Sequence, residues 1–214
     1  MNTFKKLVNV FFLYSIWAFL GTTQCFALDC NLNDTPADFS LYATIAKNNK
    51  IRSVPTLNLR YEMLQHQISF ASLPEGLKNC FLNMKETSMQ MNAEVGGVIA
   101  LFDNSDQPLL QQLTSNQKRS ISGVDIQKAF DTILAIPNSR HLNKIILVHT
   151  HPAGADSIPF HSPNDAHVAK NTEDQFSQKL GHHVAVESAV LPLHEPFKDK
   201  FVVGAIAQVE DYGY

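Results

Sequence analysis

Hydrophobic and polar residues follow clear periods over the second half of the chain. Two continuous apolar runs, 95–102 and 144–149, are typical of strands that are buried on both faces of a sheet. Between them, apolar residues recur at helical spacing over 124–136. The turn-forming residues 103–106 lead into a further predicted strand over 108–113. This half of the chain therefore alternates strands with a helix.

A second long helix is predicted over 163–180. Ser162 is a typical N-cap residue, and Gly181 is typical of the position that ends a helix. Two more strands are predicted beyond it, over 183–191 and 201–209. The order of these elements predicts a mixed β-sheet flanked by helices, in the α/β or α+β class.

The first half of the chain is less regular. Thr35 and Pro36 have the pattern of an N-cap and a first helical residue, and apolar spacing predicts a helix as far as Lys47. Over 51–92 the only periodicity is a brief strand-like alternation at 57–61. Few elements can therefore be assigned before the first buried strand.

Residues 1–27 have the pattern of a secretory signal peptide. Lys5 and Lys6 precede the apolar run 7–20, and small residues stand at positions −3 and −1 of a cleavage site after Ala27. The run is shorter than the ~20 residues that span a bilayer. We expect cleavage, no stable membrane anchor afterwards, and a periplasmic or secreted chain. An uncleaved anchor is the alternative.

Cleavage would leave two cysteines, Cys30 and Cys80. An even number in an exported chain predicts one disulfide, and two separate buried thiols are the alternative. Both cysteines fall in a predicted N-terminal helical or irregular extension over 28–89, which precedes a main domain over 90–214. No CxxC pair is present, so a structural zinc knot is not expected.

Composition narrows the classes of function. Hydrophobic residues make up 44% of the chain and charged residues 17%, which suits a folded core rather than a disordered chain. The net charge of −3 implies no broad cationic face, so nucleic acid is not an expected partner. The nine histidines are many for one small chain, and their positions indicate the chemistry.

The candidate chemistry concentrates in residues 149–165. His149 and His151 end an apolar strand at positions i and i+2, so they point to one face, about 6.6 Å apart along the backbone. A return loop can bring Asp165, in the first turn of the next helix, to the same point. Two histidines and a carboxylate with an open position are the composition of a catalytic zinc site. The histidine pair alone is a weak signal, since paired surface histidines would look the same.

With an upstream glutamate, these residues resemble the JAMM (MPN-type, or JAB) family of zinc metalloproteases. The family signature is a Glu near a strand start, then H-[ST]-H-P, then S-x-x-D. The corresponding stretches here are 94–97 (EVGG), 149–152 (HTHP) and 162–165 (SPND). The resemblance covers about residues 90–209. The intervening loop 152–161 is longer than is usual in the family, which alters the expected shape of the substrate groove.

The resemblance implies a role for each of these residues. His149, His151 and Asp165 would hold Zn²⁺. Glu94 would take a proton from an activated water and pass it to the leaving amine, and Ser162 would donate a hydrogen bond to the oxyanion. Structural roles are the alternatives: Ser162 can act as an N-cap, Glu94 can be a charged residue at a strand start, and Asp165 can favour the helix dipole.

For the whole chain, the resemblance implies a cytidine-deaminase-like JAB/MPN architecture and an exported zinc peptidase that cleaves peptide or isopeptide bonds in a peptide or protein. The alternative is a catalytically inactive JAB/MPN-like binding or interaction module. A binding module has no need of a base at Glu94, which favours the enzyme. His161, His182 and His183 are weaker candidates, for which solvated or junction positions are expected.

Overall fold

The structure is a computed structural model, and it describes most of the chain after the predicted signal peptide. The described residues are 30–43, 52–57, 60–103, 105–114, 120–151, 159–195, 197 and 199–208. The predicted signal segment 1–27 lies outside them. None of the helices in these ranges combines the length and apolar character that crossing a membrane requires.

A mixed sheet of seven strands forms the centre of the described part of the chain. The strands are β1 (Arg52–Pro55), β2 (Tyr61–Ser69), β3 (Val95–Phe102), β4 (Ser105–Thr114), β5 (Leu142–His151), β6 (Ala185–Pro192) and β7 (Lys200–Gln208). Their order across the sheet is β1-β2-β7-β6-β5-β3-β4. β5 and β6 run parallel, and the other neighbouring pairs are antiparallel.

Three α-helices of the described ranges cover the two faces of this sheet: α1 (Glu75–Met91), α2 (Gly123–Ala135) and α3 (Pro163–Leu180). On one face, Phe81 of α1 packs in a core cluster that includes Ile146 of β5. On the other face, the rings of Phe130 in α2 and Phe176 in α3 meet edge to face, beside Leu147 of β5. Successive residues of β5 thus face opposite layers, as strand geometry requires. The fold is mixed α+β.

The elements predicted from residue 95 onward are confirmed. Their ends differ from the predictions by at most three residues, and α3 has the predicted bounds. The two continuous apolar runs form β3 and most of β5. Helices cover both faces of the sheet, and every residue of β3 is therefore buried.

The helix predicted from Thr35 to Lys47 is wrong over residues 35–43, which form turns and irregular structure, and its remainder, 44–47, lies outside the described residues. Tertiary hydrogen bonds from this segment replace helical ones. The Glu187 carboxylate of β6 accepts hydrogen bonds from the Leu41 N–H at 2.7 Å and from the Ser40 hydroxyl at 2.5 Å. The Lys144 ammonium lies 3.3 Å from the same carboxylate, so the buried charge is paired.

Residues 51–92, in which little periodicity is visible, contribute β1, β2 and α1. β2 pairs with β7 from Tyr61↔Gln208 to Ser69↔Lys200, so this region belongs to the same sheet as the residues beyond 90. α1 is capped at its C-terminal end by Asn92, which has the left-handed φ of 50° that Asn tolerates better than most residues.

The predicted pairing of the two cysteines is present in the structure. The Sγ atoms of Cys30 and Cys80 are bonded at 2.10 Å, and Cys80 is buried in α1. The bond attaches the segment 30–43 to the helix that covers one face of the sheet. A closed loop of 50 residues stabilises the fold by about 4 kcal/mol on the chain-entropy model.

Candidate metal centre

The predicted ligands meet at the carboxyl end of a β-α-β unit. β5 and β6 are parallel neighbours, and α3 connects them. In sheets of this kind, bound molecules and ions lie outside the carboxyl ends of the strands, close to where the connecting helix begins. His149 and His151 lie at the end of β5, and Asp165 lies in the first turn of α3. Residues 152–158 of the connection lie outside the described residues.

Strand geometry turns both histidines towards α2 and α3. Leu147, two residues before His149, packs on that face, so the alternation of β5 places His149 and His151 there too. Their Nε2 atoms lie 3.0 Å apart, and their side chains are 14% and 12% exposed. Two lone pairs at that distance repel each other unless a proton or a cation lies between them.

A capping box aims Asp165 at the histidines. The Asp165 N–H donates to Ser162 Oγ, while Asp165 Oδ2 accepts from the Ser162 N–H at 2.6 Å and from its hydroxyl at 2.8 Å. These bonds hold the carboxylate with Oδ1 3.4 Å from His149 Nε2 and Oδ2 3.9 Å from His151 Nε2. The local S-x-x-D pattern therefore starts the helix and orients a candidate ligand.

The protonation states of His149 and Asp165 suit metal binding. Burial lowers the pKa of His149 to about 4, although the Asp165 charge opposes that shift, so the imidazole is neutral at pH 7. Burial alone would raise the pKa of the Asp165 carboxyl. The neighbouring His149 and the hydrogen bonds from Ser162 outweigh it and bring that pKa below its ordinary value. Neutral imidazoles and an ionised carboxylate are the forms that bind metal ions.

The three ligand atoms fit a divalent ion. The candidate atoms of His149, His151 and Asp165 all lie within 4.8 Å of one another. Zn–N bonds of 2.0–2.1 Å imply edges of about 3.3–3.4 Å in a tetrahedral site, close to the shorter separations described above. These residues could hold a metal ion, and three protein ligands would leave a position for a water or substrate.

Glu94 lies just before β3, across from the end of β5. The antiparallel register pairs Gly96 with His149, and its continuation places Glu94 opposite His151. Gly96 allows this approach, because a Cβ there would lie 2.5 Å from the Val148 carbonyl oxygen and 3.3 Å from the His149 Cβ. Glu94 is 9% exposed. Burial, with the Asp165 charge second, raises the pKa of its carboxyl to about 7.

Ser162 has a structural role at this site. Its Oγ accepts the Asp165 N–H and its hydroxyl donates to the Asp165 carboxylate, so both functions of the side chain serve the capping box. The N-cap predicted from the sequence is confirmed. The oxyanion role implied by the family resemblance stays a prediction.

His161 is buried, not solvated as the sequence suggested. It is 1% exposed, and its ring centroid lies 6.4 Å from that of His149. Gln65 Oε1 accepts the His161 backbone N–H at 2.8 Å and lies 3.1 Å from Nδ1, so Nδ1 carries the proton and donates to the amide oxygen. Burial lowers the pKa of this imidazole to about 3. Gly204 leaves space for the ring, since a Cβ there would lie 3.2 Å from His161 Cε1.

Nothing in the local sequence could reveal this contact, because Gln65 lies 96 residues from His161. The other two weaker candidates remain outside the site. His182 Nε2 lies 2.8 Å from the Leu142 carbonyl oxygen, and the His183 side chain is 72% exposed near Glu173.

The structure therefore brings the predicted ligands together and places Glu94 and Ser162 beside them. Comparisons with protein-family models, with curated proteins and with solved structures find no match to this chain. The resemblance to JAMM proteases accordingly depends on three short sequence stretches.

We predict that the purified protein binds close to one divalent zinc ion per chain and that His151→Ala and Asp165→Ala lose it. Two remaining ligands hold zinc poorly. His183→Ala is the control, because its side chain is exposed and outside the cluster. Metal analysis after dialysis, with circular dichroism to verify folding, measures this. Zinc retained by His151→Ala, or lost from the control, would contradict the ligand assignment.

We also predict that Glu94 makes the metal-free protein less stable as pH rises from about 4.5 to 7. Its carboxyl has a folded pKa of about 7 against an ordinary 4.5, so the folded state binds the proton more tightly. That stability is present below pH 4.5 and is lost as pH rises through 7.

Urea unfolding of wild type and Glu94→Gln across this range measures the effect. The unfolding free energy of Glu94→Gln should rise relative to wild type as pH increases. Glu86→Gln, at an exposed position on α1, is the control for the substitution itself. A constant difference for Glu94→Gln would show that the carboxyl titrates normally.

Proposed function

We propose that this chain is an exported zinc-dependent peptidase that hydrolyses peptide or isopeptide bonds. The observation that carries the proposal is a buried glutamate with a pKa of about 7 beside a cluster of three metal-binding side chains. Catalytic acids and bases need pKa values near the working pH, and burial beside a like charge is one way to reach them. A purely structural metal site needs no such group.

Zinc is the ion we propose, held by His149, His151 and Asp165. Two imidazoles with one carboxylate are a ligand set of known catalytic zinc sites, and the separations of their ligand atoms support it. When bound, such an ion supplies a nucleophile by lowering the pKa of a water molecule towards ~7.

Glu94 acts as the general base and then the general acid. At neutral pH a pKa of about 7 leaves a large fraction of the carboxylate ionised and able to accept a proton from the attacking water. The same carboxyl then donates that proton to the leaving amine nitrogen. Its low exposure keeps bulk water from competing for the proton.

Ser162 contributes through the capping box and through its hydroxyl. The side chain orients Asp165, and a rotation of the hydroxyl proton away from Asp165 Oδ2 would let it donate to an oxyanion. We infer the second role from the family resemblance alone.

Export and family are part of the same proposal. The signal-like pattern of residues 1–27 and the disulfide between Cys30 and Cys80 both suit an oxidising compartment, such as the periplasm or the outside of the cell. We assign the chain to the JAMM/MPN type, with a cytidine-deaminase-like architecture. Support comes from the three signature stretches and from ligands supplied by a strand end and the following helix.

We predict that Glu94→Gln keeps its zinc but hydrolyses peptides roughly 10²–10⁴-fold more slowly. Glutamine preserves size and hydrogen bonding but cannot accept the proton. Glu173→Gln is the matched control, since Glu173 is also a largely buried carboxylate but lies on α3, eight residues beyond Asp165.

Zinc content and initial rates on a library of peptides, isopeptides and cell-wall stem peptides give the test. Loss of zinc from Glu94→Gln would make Glu94 a ligand and contradict its role as a base. A zinc-loaded wild type that cleaves no member of the library would favour the alternative, a binding module of the same fold.

A further inference from the structure

Two buried hydroxyl groups lie behind the candidate metal centre, on the face of the sheet that α1 covers. Ser88 Oγ, on α1, donates to the Ala93 carbonyl oxygen at 2.6 Å. The Thr150 hydroxyl, on β5, donates to Ser88 Oγ at 2.8 Å. The Val95 N–H donates to Thr150 Oγ1 at 2.9 Å. We call this arrangement the Ser88–Thr150 hydroxyl pair.

The direction of every hydrogen bond in the pair is determined. A carbonyl oxygen only accepts and a backbone N–H only donates, so each hydroxyl proton has one position that satisfies all three bonds. Both side chains are fully buried, at 0% exposure, so solvent cannot replace a lost partner. Removing one hydroxyl would leave a buried polar group unsatisfied.

The hydroxyl pair holds the residues on either side of Glu94. Ala93 precedes Glu94 and Val95 follows it, and each gives one backbone group to the pair. The paired residues of β3 and β5 start at Gly96↔His149, so the hydroxyl pair extends the connection between these strands past the end of the ladder. The backbone of Glu94 is thereby attached to its neighbours on both sides.

The same pair is attached to the strand that carries two of the candidate ligands. Thr150 lies between His149 and His151, and its side chain points to the opposite face from theirs. Glu94 and the histidines therefore share one face, while the groups that connect their backbones share the other. A shift of Thr150 relative to Val95 would change the distance from Glu94 to the metal ligands.

We propose that Ser88 and Thr150 are positioning residues that hold Glu94 at the metal centre. The inference depends on the proposed role of Glu94 as the base. Ser88 lies on α1, and α1 lies mostly outside the stretch that resembles JAMM proteases. Through Ser88, this helix would help to hold the base in position. A misplacement of the base by about 1 Å can lower the rate about 10²-fold.

The test compares Thr150→Val, which keeps the shape of the side chain but removes the hydroxyl, with Thr150→Ser, which restores it. Thr172→Val is the matched control, because Thr172 is a buried threonine on α3 whose hydroxyl donates to the Val168 carbonyl oxygen at 2.8 Å. Both valine variants should lower the melting temperature. Ser88→Ala is a second variant in case Thr150→Val does not fold.

In the zinc-loaded protein, we expect Thr150→Val to keep its metal and lose about 10–10²-fold in kcat. Thr150→Ser should recover most of that loss, and Thr172→Val should keep the wild-type kcat. Amide hydrogen exchange at Val95 should be faster in Thr150→Val alone. A crystal structure of that variant should show the Glu94 carboxylate displaced from the histidines.

The result that overturns the proposal is a Thr150→Val protein with wild-type kcat and an unmoved Glu94. A wild-type protein that hydrolyses no peptide would contradict the peptidase proposal instead. Displacement of Glu94 and faster exchange at Val95 in Thr150→Val would support the positioning role even then, because neither measurement requires activity.

Discussion

The reciprocal hydrogen bonds between Ser162 and Asp165 are the interaction on which the candidate site depends. They satisfy backbone donors at the start of α3, and they also fix the carboxylate that faces His149 and His151. The helix in turn packs through Ala166, among other residues, on the same face of the sheet as the histidines. One local motif thus joins the beginning of the crossover helix to the end of the strand that precedes it, and the arrangement of the candidate metal ligands follows from that connection.

Beside this stabilising motif lies a carboxyl group, that of Glu94, whose burial is unfavourable when it is ionised. Two imidazole nitrogens face each other at 3.0 Å, and the carboxyl of Glu94 is buried close enough to Asp165 for the negative charge to raise its pKa further. In a metal-free chain one imidazole can donate an N–H to the other, but burial beside a second carboxylate disfavours the ionised form of Glu94. Such arrangements persist where a bound cation or a reaction compensates for them. A positive ion bound to His149, His151 and Asp165 would favour the ionised form of the Glu94 carboxyl, which is why we propose that the cluster binds a metal ion.

The sequence predicts those strands and helices whose formation depends on residues within or next to the element itself. The apolar runs of β3 and β5 are visible because both faces of those strands are buried, and α3 because its caps are encoded in residues 162–165 and Gly181. β2 and α1 could not be predicted, because buried polar residues such as Gln65 and Ser88 interrupt their apolar patterns. The hydrogen-bond partners that allow this burial, His161 and Thr150, are far away in the chain. The proximity of His149, His151 and Asp165 was predictable from their spacing and from the elements that carry them. The burial of His161 and the backbone connections of Glu94 depend on long-range contacts that spacing cannot reveal.

X-ray absorption at the zinc K-edge of the zinc-loaded protein tests the central claim most directly, since it measures the ligands themselves. Two histidines, one carboxylate and one further oxygen predict four nitrogen or oxygen scatterers at about 2.0–2.1 Å, with imidazole outer-shell features and no sulfur. The disulfide between Cys30 and Cys80 removes both of those cysteines as ligands. A sulfur scatterer near ~2.3 Å, or a spectrum without imidazole features, would contradict the account.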